Sequence, residues 1–174
     1  MRTKFFALTC ISLLCFLSIP AQAAIIKLNA SLDGSQEVPS SSTLGFGTAT
    51  LFFDTDTNLF DMNLLVNNLT GTPLAAHIHS AAFGINGPVI VNLDASQFVP
   101  TLDLTGLMRS INGMSFPAVQ VANLLSGDTY INVHTAAFRG GEIRGQLTVP
   151  EPASLALLGL GLAGLYVTRR RAVL

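Results

Sequence analysis

The sequence predicts an all-β domain, a β-sandwich or Greek-key barrel, flanked by an N-terminal signal helix and a C-terminal transmembrane helix. Three observations predict it. Apolar and polar residues alternate over several short stretches, the pattern of strands with one buried face. Those stretches are separated by turn-forming Gly, Pro, Asn and Asp at short intervals, with little helical periodicity between them. The apolar excess of the chain, which is 49% hydrophobic, lies at its two ends: residues 5–20 and 153–167 carry no charge.

The middle of the chain is accordingly read as the folded part. Residues 24–150 hold nine acidic and four basic residues (Lys27, Arg109, Arg139 and Arg144), a formal charge of −5. A domain of that length buries enough surface to stand without disulfides. Both cysteines, Cys10 and Cys15, lie in the N-terminal apolar stretch. The acidic balance excludes a nucleic-acid partner, whose footprint is a basic patch.

Strands are predicted in order at 25–33, 45–54, 58–66, 74–80, 88–93, 129–137 and 142–149. The clearest runs from Asn58 to Val66, with Phe60, Met62, Leu64 and Val66 on one face. Gly45 to Asp54 directs Ala49, Leu51 and Phe53 inward, and Asp54-Thr55-Asp56-Thr57-Asn58 joins the two as a hairpin loop. One short helix is predicted over 117–126, ended by Ser126-Gly127-Asp128. Residues 95–116 give no readable pattern.

The N-terminal end reads as a secretory signal peptide over 1–23. Arg2 and Lys4 form the basic region and Phe5 to Ile19 the apolar one. Ala21-Gln22-Ala23 supplies the small-residue site, so signal peptidase is expected to cut after Ala23. Leu14 before Cys15 disfavours a lipoprotein site. At the other end, Pro150 and Pro152 break the last strand and Ala153 to Thr168 follow as a transmembrane helix. Its rise is roughly 24 Å, slightly under a ~30 Å hydrocarbon core. Arg169, Arg170 and Arg171 stay cytoplasmic under the positive-inside rule and place the domain on the far side.

Candidate chemistry centres on the three histidines of the chain. Ala76-His77-Ile78-His79 puts His77 and His79 on one face of a strand, and Tyr130-Ile131-Asn132-Val133-His134 puts His134 on the face opposite Ile131 and Val133. If Ile78, Ile131 and Val133 face the core, all three histidines face away from it. Neutral imidazoles suit zinc or copper, and Glu142, just past Gly140-Gly141, is the nearest fourth ligand by sequence. The competing reading has the histidines bonding loop backbone around Asn86-Gly87-Pro88. The domain offers no thiol, no Gly-x-Ser-x-Gly elbow and no phosphate-binding loop.

Two resemblances accompany these readings. Val149-Pro150-Glu151-Pro152, a short apolar helix and the terminal arginines resemble the PEP-CTERM sorting signal of Gram-negative bacteria, over residues 149–174. That implies an exosortase-like membrane enzyme as partner, cutting near Pro150, Glu151 and Pro152. Ala30 to Pro39, Ala75 to His79, Asn86 to Val89 and Tyr130 to Thr135, with Phe138 to Leu147 after it, resemble in that order the CHRD domain named for chordin, over residues 24–148. That implies an extracellular β-rich module, usually without an assigned activity in bacteria. The His-x-His strand bears a fainter likeness to copper/zinc superoxide dismutase, but three histidines cannot supply that enzyme's binuclear site.

The expected protein is a non-catalytic module of the cell envelope, matrix or biofilm, contacting polysaccharide or protein. Its precursor is anchored in the inner membrane with the domain in the periplasm, then reaches the cell surface or medium when processed. The alternative is a mononuclear copper or zinc protein using His77, His79 and His134, redox-active with copper.

Overall fold

The computed structural model describes residues 24–102 and 106–150. The signal helix, Ala23, Glu151, Pro152, the helix over 153–168 and Arg169 to Arg171 lie outside the described residues. Among those described, no helix is long and apolar enough to cross a membrane.

The all-β expectation is met. The strands are β1 (Ile25–Asp33), β2 (Phe46–Asp54), β3 (Leu59–Asn67), β4 (Ala75–Ser80), β5 (Val89–Asn92), β6 (Val99–Pro100), β7 (Gly106–Ser115), β8 (Thr129–His134) and β9 (Ile143–Gln146). They form one sheet in the order β5-β4-β8-β9-β1-β2-β3-β7-β6, every neighbouring pair antiparallel. The sheet narrows at one seam. β9 and β1 share only Asp33↔Arg144, supplemented by a bridge between Asn29 and Thr148. The two outer ends of the ribbon then meet, because Arg109 on β7 donates through Nε to the Leu93 carbonyl just after β5 at 2.9 Å. This curled arrangement is consistent with a β-sandwich.

Alternation explains the curl. The inward faces of β1, β2 and β3 carry Leu28, Leu32, Leu51, Phe53, Phe60, Met62 and Leu64, and β4 and β8 add Ile78, Ile131 and Val133. All lie in one buried cluster. A sheet with one continuous apolar face buries it only by folding over onto itself. Phe116 closes one end, meeting Phe53 and Phe60 edge to face with centroids 5.8 and 6.2 Å away, a geometry that adds about 0.5–1.5 kcal/mol per pair beyond area burial. In the β2–β3 loop, the Asp54 carboxylate accepts from the backbone N–H of Asp56 and Thr57, and Asn58 takes a positive φ of 55°. The predicted helix becomes a 3-10 turn at Ala118–Gln120 followed by α1 (Val121–Ser126), capped by Gly127 at φ 83°.

The unreadable stretch contains β6 and the ten-residue β7. β7 pairs along most of β3, with a register shift between Phe60 and Met62.

Candidate functional site

The three histidines meet on the outer face of the β4–β8 pair. Register sets His77 opposite Asn132, His79 opposite Tyr130 and Ala75 opposite His134, so His134 lies diagonally across from His77. One ring nitrogen from each of the three falls within 4.8 Å of the others. His77 Nδ1 and His134 Nε2 are 3.3 Å apart, and the His77 ring meets those of His79 and His134 at steep angles of 78° and 64°. Ile78, Ile131 and Val133 are fully buried beneath them, as the alternation requires.

Loops decide the protonation. His79 Nδ1 lies 2.9 Å from the Gly87 carbonyl and His134 Nδ1 lies 3.0 Å from that of Arg139. A carbonyl only accepts, so both Nδ1 atoms carry the proton and both Nε2 atoms present a lone pair. His77 Nδ1 therefore donates to His134 Nε2. The Nε2 atom of His79 is buried with no hydrogen-bond partner. Burial lowers the pKa of all three rings. The neighbouring His134 and His79 add to it at His77; at His79 and His134 the bonds to the Gly87 and Arg139 carbonyls oppose it. At neutral pH the trio is uncharged, the form that binds metal.

Beside the trio lies a buried polar layer. The Tyr130 ring is stacked on His79, centroids 4.7 Å apart and 8° from parallel, and the Arg144 guanidinium sits 3.4 Å over the centroid of the same ring. Arg144 donates to the Ile85 carbonyl at 2.8 Å and to Asn86 Oδ1 at 3.3 Å, and the backbone N–H of Gly87 donates to the Tyr130 hydroxyl at 3.2 Å. Asn132 Nδ2 donates to Glu37 Oε2 at 3.1 Å. Glu37 Oε1 and Asn132 Oδ1 are both buried and unpaired. Burial pushes the Glu37 carboxyl up to about 7 against the pull of Arg144 and of the Asn132 bond. A proton on Oε1 turns that unpaired acceptor into a donor.

The consequence for stability has a definite sign. With its folded value raised above the ordinary 4.5, Glu37 contributes fully below that pH, and its contribution is lost as pH rises through about 7. Glu37→Gln mimics the protonated acid at every pH. The variant is expected to match the parent near pH 4.5. At about pH 8 it should be more stable by about 1–2 kcal/mol, a figure discounted for partial solvent screening. Thermal unfolding across this range checks it, and parallel stability curves would refute it.

Glu142 is a correction to the sequence reading: the structure does not bring it to the histidines. Its carboxylate accepts from the Thr70 backbone N–H at 2.8 Å, from the Thr43 and Thr70 hydroxyls at 2.7 and 2.9 Å, and from the Thr135 hydroxyl at 2.5 Å. Burial alone would raise its pKa, but these four donors together hold it below the usual value. Glu142 precedes β9, where strand alternation no longer fixes direction, and the threonine donors draw it to the end of the sheet. The expected loop contact at Asn86-Gly87-Pro88, by contrast, is present as the His79–Gly87 bond.

Sequence reasoning missed Glu37, Tyr130, Asn132 and Arg144 as site residues. A cleft of about 420 Å³ opens beside Glu37, lined also by Pro39, Ser41, Phe138, Arg139 and Gly141.

Comparison with known proteins agrees with both resemblances. The family model described as CHRD domain matches residues 28–147, and that described as PEP-CTERM protein-sorting motif matches residues 148–171. No curated protein gives a significant match, and no solved structure does. The chain belongs to the CHRD domain family and carries a PEP-CTERM protein-sorting motif directly after that domain.

Proposed function

We propose that this is an exported module of the bacterial cell envelope or extracellular matrix, sorted by an exosortase-type enzyme and acting by contact with polysaccharide or protein rather than by catalysis. One observation carries the reading: the CHRD match ends at residue 147 and the sorting motif begins at 148, so a folded domain passes directly into an envelope address. Signal peptidase acts at Ala23 and the exosortase near Pro150, Glu151 and Pro152. The precursor sits in the inner membrane with its domain in the periplasm, oriented by Arg169, Arg170 and Arg171, and processing releases that domain to the surface or medium. Intact mass of the protein recovered from cells and medium tests this. A species beginning at Ala24 and ending near Pro150 to Pro152 is expected; a full-length C-terminus in every fraction would sink the release step.

A second reading is favoured by the convergence of His77, His79 and His134. Here the domain holds one copper or zinc ion on those imidazoles, redox-active when the ion is copper. Metal analysis of protein purified from its host checks it, with one equivalent expected per chain. The His77→Ala/His79→Ala double variant is expected to lose that metal.

A further inference from the structure

We infer that the three-histidine cluster is an open metal centre, whose vacant coordination position binds a small monoanionic donor such as a carboxylate. The inference rests on the metal-binding reading above and extends it from the ion to the ion's ligand.

One edge of the cluster already has the length found in a coordination shell, and the third nitrogen lies within 4.8 Å of both others. Imidazole nitrogens at about 2.05 Å from a tetrahedral ion are separated by roughly 3.3–3.4 Å, and His77 Nδ1 and His134 Nε2 are separated by 3.3 Å. The ring orientations are set in advance. Gly87 and Arg139 carbonyls fix the Nδ1 protons of His79 and His134, the outer support that metal-ligating histidines ordinarily have. The Nε2 atom of His79 is buried and lacks a partner, and an ion supplies one. In binding, the metal replaces the proton that His77 Nδ1 shares with His134, and His77 takes its other neutral tautomer.

The donor set then determines what else must bind. Among the described residues no carboxylate or thiol joins the trio. Glu142 is held by Thr43, Thr70 and Thr135. Three neutral imidazoles leave a divalent ion with both of its charges and one tetrahedral position to fill, the arrangement of open rather than closed sites. The Arg144 cation acts on His79 from beyond Tyr130, adding positive potential on that side of the trio. A monoanion is therefore preferred over a neutral donor at the fourth position.

The test uses protein recovered from its host, stripped with chelator and reloaded with one equivalent of Cu(II). Pulsed EPR, which detects the remote, non-coordinating ring nitrogen of each bound imidazole, should count three such ligands in the parent and fewer in His79→Ala. Titration with azide, and separately with acetate, should perturb the copper spectrum in a saturable one-to-one manner. Glu142→Gln should leave both the copper stoichiometry and the azide response unchanged, and the anion titration of the parent decides the open position even where His79→Ala fails to fold. Failure to take up Cu(II) or Zn(II) stoichiometrically would overturn the metal reading itself. Stoichiometric uptake with a spectrum indifferent to both anions would leave that reading standing and overturn the open position.

Discussion

Arg144→Ala is expected to lower the unfolding free energy by about 3–5 kcal/mol, the range for removing one partner from a buried charged network. Arg144 is 1% exposed and heads the fully buried side chains by volume. Its guanidinium fills the space over Tyr130 and anchors the loop at residues 82–86 through the Ile85 carbonyl and Asn86. Truncation leaves a cavity above the ring and frees those acceptors. It also removes the cation that opposes the burial of Glu37, so the Glu37 carboxyl should rise further above about 7. Arg144→Lys keeps the charge but loses the planar stacking and the forked donors, so it should recover only part of the loss. Denaturant titration ranks the three proteins. An Arg144→Ala midpoint equal to that of the parent would show that the layer contributes nothing to stability.

Glu142→Ala is expected to cost about 2–4 kcal/mol, because a charged acceptor of four hydrogen bonds disappears from a buried position. The three threonine hydroxyls can rotate toward other acceptors, but the Thr70 backbone N–H cannot, and it carries most of the loss. Glu142→Gln retains an oxygen for that N–H and should cost clearly less. With its pKa held below the ordinary 4.5, Glu142 contributes its stability above that pH and loses it as pH falls through the lower folded value. Acid unfolding should therefore be shallower in Glu142→Gln than in the parent. Equal losses for Ala and Gln would show that side-chain volume, not the oxygen acceptors, is what matters at this position.

Sequence legibility followed the range of the interactions. β2 and β3 could be read because each alternates cleanly and their hairpin loop carries its own turn residues. The common face of the histidines followed from the same alternation, which needs only i and i+2. β7 could not be read: it opens on Gly106, Gly113 interrupts it, and of its apolar residues only Ile111 is buried. Its partner β3 supplies the order its own pattern lacks. Glu37, Asn132 and Arg144 come from three distant segments and form a layer only when β8, β9 and the loop after β1 converge. Each taken alone reads as an ordinary surface residue. Glu142 misled because it is close to His134 in sequence while its donors come from residues 43, 70 and 135.

The narrow seam between β1 and β9 also dictates an order of assembly. β1 begins at Ile25 and lies between β9 and β2 in the sheet, and Asn29 bonds reciprocally with Thr148 at the opposite end of the domain. β1 pairs locally with β2, but its other edge must wait for the last strand, and the seam cannot zip until residue 148 reaches it. Contacts this distant in sequence make for slow folding and a long interval with unpaired edges. On the proposed export route, a precursor anchored through the sorting motif that starts at residue 148 would stay tethered throughout that interval, so that cutting near Pro150 after folding would release a finished sheet rather than a nascent one.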